Sequence, residues 1–260
     1  MLHGLNNQFL YVAFKIESSF TDKYSGKCLK VEGTGFFVNV NEKAAFVTNR
    51  HNLDAVYKDI KYVGYELSEV MIIGRISGEN LLNLTLNLEN SDIIYHNNAA
   101  NDVAIILNPK FLAKNIDQIK IDNFISEDLI AGSSYFQTDL SVCDFLAFPG
   151  YPSWHDKIEQ RPIFRSGTIS SDPRKSYHFK SDPSDCGDCV AYEAFSSGGS
   201  SGSPVFALQK GIKPGPGIQF EAYRDAKLIG INGGHLNSAD HGHSGISYFF
   251  KSYLILEMML

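Results

Sequence analysis

The chain has 260 residues, with 23 lysines and arginines against 29 acidic residues, so its formal net charge is −6. Hydrophobic residues make up 43% of it, which is typical of a folded globular protein and excludes a disordered or collagen-like chain. A mildly acidic chain without lysine or arginine runs is a poor nucleic-acid or anionic-membrane binder. No apolar run approaches the roughly 18 residues of a membrane span, so we expect neither partner.

The first residues predict no secretory signal. Met1–Gln8 has no cluster of positive charge and no small-residue cleavage site, and the short apolar run Phe9–Phe14 is followed by Lys15. Four cysteines are too few for a disulfide scaffold of this length. We therefore expect a reducing, cytoplasmic setting, and the sequence predicts nothing about the oligomeric state.

Short runs of aromatic and β-branched residues, separated by glycine, asparagine and proline, predict β-strands along most of the chain. In the first half these are Phe9–Ile16, Gly35–Val40, Ala44–Thr48, Val70–Ile76, Leu82–Leu88 and Val103–Leu107. In the second half they are Val142–Phe148, Ile163–Ile169, Val190–Phe195, Pro204–Leu208, Ile218–Tyr223, Lys227–Ile231 and Ile246–Phe250. Apolar residues at helical spacing predict a short terminal helix over 250–260.

This pattern favours an all-β fold, either a sandwich or barrels. The more polar segment Lys110–Ser126 is a candidate linker between two β halves. We therefore divide the chain into residues 1–115 and residues 116–260.

The glycine- and serine-rich segment Ser196–Phe206 is the strongest candidate for chemistry. A flexible linker is its simplest interpretation, but it lies between two predicted strands, where such a loop is more often functional. Glycines beside a serine allow backbone conformations that aim neighbouring N–H groups at one spot, as an oxyanion requires. Ser201 is the candidate nucleophile, and Ser200 and Ser203 are its nearest alternatives.

A serine hydroxyl needs a base to take its proton, and histidine is the usual base near neutral pH. The eight histidines are His3, His51, His96, His155, His178, His235, His241 and His243. His51 directly follows two apolar strands that would hold it rigidly, although a strand-ending polar residue is the simpler interpretation. The base in turn needs a carboxylate. Asp92, Asp102 and Asp144 each precede an apolar run, and their surroundings do not choose between them.

Five sequence blocks, taken in order, resemble the chymotrypsin/trypsin-like serine peptidases, and in particular the bacterial-type trypsin-like peptidase domain. They are Gly33-Thr-Gly-Phe-Phe-Val, Phe46-Val-Thr-Asn-Arg-His51, Asn101-Asp102-Val-Ala-Ile-Ile, Gly199-Ser-Ser201-Gly-Ser-Pro-Val and Leu228-Ile-Gly-Ile-Asn232-Gly-Gly. The order His, Asp, Ser is that of this family. The blocks span nearly the whole chain.

The resemblance implies two six-stranded antiparallel β-barrels with an active site in the cleft between them. It implies His51 as the base and Ser201 as the nucleophile, and it favours Asp102 over the other two aspartates as the acid. The backbone N–H groups of Gly199 and Ser201 would form the oxyanion hole. The implied reaction is hydrolysis of a protein or peptide substrate through an acyl-enzyme, without a cofactor.

The resemblance also implies a specificity pocket, in which Ser196 or Phe195 forms the floor and Ile231, Asn232 and Gly233 form the wall. Because no aspartate stands at the floor, cleavage after arginine or lysine is disfavoured. We expect a polar or small residue at P1, the substrate position whose carbonyl is attacked.

Two alternatives remain open. Cys186-Gly-Asp-Cys189 could bind zinc with His235, His241 and His243, but a single C-x-x-C is weak evidence, and a loop with two unpaired thiols or a local disulfide is the simpler interpretation. We expect no metal. The second alternative is a catalytically weak or inactive domain that binds peptides in its cleft. The presence of all three catalytic residue types favours the enzyme.

Overall fold

Strands dominate the chain, as the short apolar runs predict. The computed structural model describes residues 5–76, 80–112, 124–182, 185–211, 223–238 and 242–260. The strands in these ranges are β1 (Ala13–Asp22), β2 (Cys28–Val40), β3 (Lys43–Thr48), β4 (Tyr65–Ile76), β5 (Asn80–Thr85), β6 (Asp92–Tyr95), β7 (Ala104–Leu107), β8 (Phe124–Ser126), β9 (Phe145–Gly150), β10 (Ile163–Ile169), β11 (Cys189–Glu193), β12 (Pro204–Ala207), β13 (Lys227–Asn237) and β14 (His243–Lys251). The α-helices are α1 (Ala55–Lys58), α2 (Ser133–Thr138) and α3 (Tyr253–Met259).

The second half forms a closed barrel. Strands β9 to β14 pair antiparallel in the order β10-β11-β14-β13-β12-β9. Large side chains fill its interior, and the ring of Tyr192 contacts those of Phe148 and Phe249, with centroids 5.6 and 6.0 Å away. All three are fully buried. Burial of each phenylalanine contributes about 1.5–3 kcal/mol, so this packing is a main source of the barrel's stability.

The first half forms a sheet in the order β5-β4-β1-β2-β3-β7-β6, and the short strand β8 pairs parallel with β2. In the described part of the chain this sheet is open between β5 and β6. The expectation of two closed six-stranded barrels is therefore confirmed only for the second half. The last strands of the sheet are short, and Pro109 follows β7 and cannot donate to a ladder. A single bridge, Leu86 to Phe111, joins the chain after β5 to the chain after β7.

A second core lies where the two halves meet. Phe36 of β2 and Val47 of β3 belong to one cluster of buried side chains with Phe206 of β12 and Ile231 of β13. Helix α3 adds Leu254 to the same cluster. This shared core fixes one half against the other, so it also fixes the loops at their junction.

The ends of the chain differ from the predicted elements. The strand predicted to start at Phe9 starts at Ala13, because the Asn6 side chain accepts from the N–H of Gln8 and caps a 3₁₀ turn over Asn7–Phe9. The predicted terminal helix begins only at Tyr253, since the preceding strand continues further than the sequence indicated.

Two expectations fall largely outside the described residues. The predicted strand Ile218–Tyr223 lies outside them except for its last residue, and the boundary between residues 115 and 116 lies in the segment 113–123. None of the helices in the described ranges is long and apolar enough to cross a membrane.

Candidate active site

His51 and Asp102 form a buried pair at the edge of the first-half sheet. His51 lies in a 3₁₀ turn just after β3, and Asp102 lies just before β7. Because these strands are antiparallel neighbours, with Thr48 opposite Ala104, the end of one lies beside the start of the other. The His51 Nδ1 atom is 2.5 Å from Asp102 Oδ2, and the His51 backbone N–H donates to Asp102 Oδ1 at 2.9 Å. The carboxylate thus holds both the imidazole and its backbone.

Neighbouring side chains stabilise this pair. The buried amide of Asn49 donates to the backbone carbonyl of Asp102 at 2.7 Å. Arg50 forms two hydrogen bonds to Asp54, at 2.9 and 3.0 Å, and its guanidinium lies over the rings of Tyr57 and Tyr95. These contacts fix the turn that carries the imidazole.

The Ser201 loop needs glycine on both sides. Gly199 has φ +89° and Gly202 has φ +88°, in the left-handed region where only glycine is unstrained. A Cβ atom on Gly199 would lie 2.3 Å from the carbonyl oxygen of Tyr151, and one on Gly202 would lie 2.0 Å from that of Thr34. The glycines therefore bring the loop backbone against both halves of the protein.

Thr34 of β2 fixes this loop from the first half. Its N–H donates to the carbonyl of Ser201 at 2.8 Å, and its hydroxyl donates to the carbonyl of Gly199 at 2.7 Å. The same hydroxyl accepts from the N–H of Tyr151 at 3.0 Å. The Asn52 amide adds a 3.3 Å bond to the Ser201 carbonyl. The position of Ser201 thus depends on strands from both halves.

Two N–H groups of the loop remain available. Those of Ser200, Gly202 and Ser203 donate to carbonyl oxygens at 2.9, 2.8 and 3.1 Å. Those of Gly199 and Ser201 donate to no residue in the part of the chain that the structure describes. Unused backbone donors beside a serine hydroxyl are the groups that stabilise an oxyanion.

His51, Asp102 and Ser201 share one cleft of about 410 Å³. Its lining residues are His51, Tyr57, Lys58, Asp102, Ser196, Ser197, Gly198, Ser201, Gly233, Gly234, His235, Asn237 and Tyr248. The hydroxyls of Ser200 and Ser203 are instead buried, without a partner among the described residues. Of the three candidate nucleophiles, Ser201 is therefore the one that lines the cleft. Within the described ranges no hydrogen bond joins its hydroxyl to the His51 imidazole.

The five residues considered for the specificity pocket differ in position, and Phe195, the alternative floor residue, is exposed and is not among the described residues that line the cleft. Ser196 and Gly233 line the cleft. Ile231 is buried in the core between the halves. The Asn232 amide is also buried, where it accepts from the Tyr192 hydroxyl and donates to the Ser200 carbonyl, both at 2.8 Å. Asn232 therefore supports the serine loop from behind and does not form the cleft wall.

Sequence reasoning missed several lining residues. The last residues of β13 contribute Gly234, His235 and Asn237 to the lining, and β14 contributes Tyr248. The sequence suggested a role for His235 only as one ligand of the alternative zinc site. Pairing of the predicted strands β13 and β14 was the one signal that could have brought these residues to the cleft.

The C-x-x-C cysteines are two free, buried thiols. The Cys189 thiol donates to the Tyr177 carbonyl at 3.1 Å, and burial raises its pKa to about 12. In the described part of the chain no three metal-ligating side chains converge. His241, which the zinc alternative includes, lies outside that part.

The structure, but not the sequence, is similar to known proteins. No protein-family model and no curated protein matches the sequence. The protease Anisep from Arthrobacter nicotinovorans superimposes with a TM-score of 0.56 at 15% identity, over 96% of this chain and 94% of that one. Deg5 superimposes with a TM-score of 0.53 at 14% identity, over 96% and 88%. The chain has the trypsin-like peptidase fold.

Proposed function

We propose that this protein is a serine endopeptidase, in which Ser201 is the nucleophile, His51 the general base and Asp102 the residue that orients the base. The observation that carries the proposal is the shared cleft. Ser201 lines the same cleft as an imidazole whose Nδ1 is bound to a buried carboxylate. The fold similarity to a protease supports the same conclusion.

The His51–Asp102 contact determines which imidazole nitrogen can act. An ionised carboxylate only accepts hydrogen bonds, so Nδ1 must carry the proton and Nε2 of the neutral ring is left as the acceptor. As Ser201 Oγ bonds to the substrate carbonyl carbon, His51 takes the hydroxyl proton. His51 then gives this proton to the leaving amine as the peptide C–N bond breaks. Water repeats the sequence on the acyl-enzyme, which releases the acid product and restores Ser201.

The unused N–H groups of Gly199 and Ser201 would bind the carbonyl oxygen as it becomes negative. Such donors stabilise the transition state because they are already in place when the charge develops. Loss of one donor costs about 10²–10³ in turnover in comparable sites. The strand contacts of Thr34 would keep these donors in position.

A fluorophosphonate probe tests the assignment, since it labels only an activated serine. We expect labelling of the wild type and no labelling of Ser201→Ala. Ser197→Ala is the matched control, because Ser197 lines the same cleft, and it should still be labelled. Labelling of Ser201→Ala, together with loss in Ser200→Ala, would assign the nucleophile to Ser200.

One observation favours a second function, peptide binding without turnover. The Ser201 hydroxyl and the His51 imidazole do not form a hydrogen bond in the described structure. In enzymes without substrate such bonds are often long and tighten only in the complex. A wild-type protein that resists the probe but binds dye-labelled peptides in fluorescence anisotropy would establish the binding function and exclude the peptidase.

A further inference from the structure

A pair of stacked imidazoles, on strands β13 and β14, borders the cleft that Ser201 lines. The His235 ring lines the cleft and stacks on that of His243, with centroids 4.4 Å apart and planes at 18°. Behind them, the Phe195 ring lies 4.8 Å from His243. The aromatic ring limits the positions that His243 can adopt, so the exposed imidazole of His235 rests on a fixed support.

Hydroxyl groups connect this pair to the cleft. Ser247 Oγ lies 3.5 Å from His243 Nε2 and 3.1 Å from the hydroxyl of Ser196, which lines the cleft. It also donates to the buried carbonyl of Ala194 at 2.8 Å. Because that carbonyl takes the proton of Ser247, the Ser196 hydroxyl keeps its own proton and can turn it either to Ser247 Oγ or to an acceptor in the cleft. The cleft thus presents a hydroxyl and an imidazole as hydrogen-bond donors.

A half-buried cation stands next to these donors. Arg165 of β10 lies with its guanidinium 5.0 Å from the ring of Trp154, and its Nη1 is 3.5 Å from the hydroxyl of Ser197, which lines the cleft. Arg165 has no acidic partner among the described residues. Burial lowers its pKa, and a cation removed from water without a counter-ion is costly. The site therefore favours an incoming anion.

The charged groups that act on His243 are positive. Burial, followed by the charges of His235 and Arg165, lowers the pKa of His243. In the described part of the chain, Asp102 is the one carboxylate that lines the cleft, and it is bound to His51. Among the described residues, an anion that entered beside His235 would meet donors and positive charge and no free carboxylate.

We propose that this subsite binds an acidic side chain, so that the protein prefers glutamate or aspartate at P1. Ser196 and His235 donate to the substrate carboxylate, His243 supports His235, and Arg165 supplies the compensating charge. This inference rests on the proposed peptidase function, because P1 is defined by the bond that Ser201 attacks.

Three internally quenched peptides that differ only at P1, with glutamate, glutamine or lysine, test the preference. We expect wild-type kcat/KM for the glutamate peptide to exceed that for its glutamine isostere by about 10–100-fold, since each 1.4 kcal/mol is a factor of ten. Arg165→Gln and, separately, His235→Gln should bring this ratio close to one. Arg165→Lys should retain most of it. Arg174→Gln, at an exposed arginine paired with Asp172, is the matched control and should not change it.

Binding separates this inference from the peptidase proposal. The same peptides, dye-labelled, are titrated into Ser201→Ala and followed by fluorescence anisotropy, and the glutamate peptide should bind most tightly. If the glutamate peptide binds most tightly but the wild-type protein cleaves none of the three peptides, the peptidase proposal is overturned and the acidic subsite is supported. Turnover that is equal for glutamate and glutamine, or highest for lysine, would overturn the acidic subsite and leave the peptidase. Circular dichroism checks that each variant folds, and His235 is exposed, so its substitution does not disturb the core.

Discussion

Thr34→Val tests whether one buried hydroxyl ties the serine loop to the first half. Valine has nearly the same shape, so the change removes the hydrogen bonds and creates no cavity. It leaves the N–H of Tyr151, fully buried, and the carbonyl of Gly199, partly buried, without their partner. An unsatisfied buried group costs about 1–3 kcal/mol. The partly buried carbonyl of Gly199 should cost an amount at the low end of this range. For the loss of both hydrogen bonds we therefore expect the free energy of unfolding to fall by about 2–4 kcal/mol.

Urea denaturation followed by circular dichroism measures this loss. Thr34→Ser keeps the hydroxyl and should lose much less. Thr21→Val is the control for a threonine to valine change at a half-buried strand position, where the Thr21 hydroxyl donates to the Ser68 hydroxyl at the surface, and it should stay within about 0.5 kcal/mol of the wild type. We also expect Thr34→Val to lower kcat more than it raises KM. A wild-type denaturation midpoint for Thr34→Val would refute this role of the hydroxyl.

Three further predictions concern charge and thiol chemistry. The buried carboxylate of Asp144 lies with Oδ2 2.6 Å from Arg224 Nη1. Burial alone would raise the pKa of Asp144. The hydrogen bonds from Arg224 and from its other donors outweigh burial, so the pKa of Asp144 is lowered. The ionised Asp144 therefore stabilises the fold above the pKa that it has in the unfolded chain, and this stabilisation is lost as the pH falls. We expect Asp144→Asn to lower the free energy of unfolding by about 3 kcal/mol at pH 7. The difference should shrink progressively below about pH 4, as urea titrations at several pH values would measure. Asp102→Asn should lower kcat by about 10⁴, and a loss under tenfold in peptide hydrolysis would contradict the proposed mechanism. Native alkylation, counted by mass spectrometry, should modify the two exposed thiols and spare the two buried ones until denaturant is added. The exposed thiols are those of Cys28 and Cys143, and the buried ones are those of Cys186 and Cys189.

The sequence was sufficient for most of the strands, and it marked His51, Asp102 and Ser201, which line one cleft, as candidates. Each of His51, Asp102 and Ser201 stands at the end of a run of apolar residues or in a glycine-rich turn, so local pattern marks it. The ends of these apolar segments then come together, because the apolar faces of both halves pack in one core. The short strands β6 and β8 were missed, and β8 lies within the polar segment that was assigned as a linker.

The specificity side of the cleft could not be predicted in the same way. Strict alternation would turn either Ile231 or Asn232 toward the cleft, but β13 is covered on both faces there and both side chains are buried. Register shifts between Asn232 and Gly234, and again before Asn237, decide which residues of β13 reach the cleft. His235 stacks on His243 only because of that register, which sequence spacing does not encode.

A cleft whose walls come from both halves has a consequence for biosynthesis. Translation releases the strands around Thr34 and His51 before the segment that contains Ser201 has been synthesised. The carbonyls of Gly199 and Ser201 gain their hydrogen bonds from the hydroxyl and the N–H of Thr34 only when the second half packs against the first. The cleft that holds the proposed triad is therefore completed only after both halves have been made and have packed together.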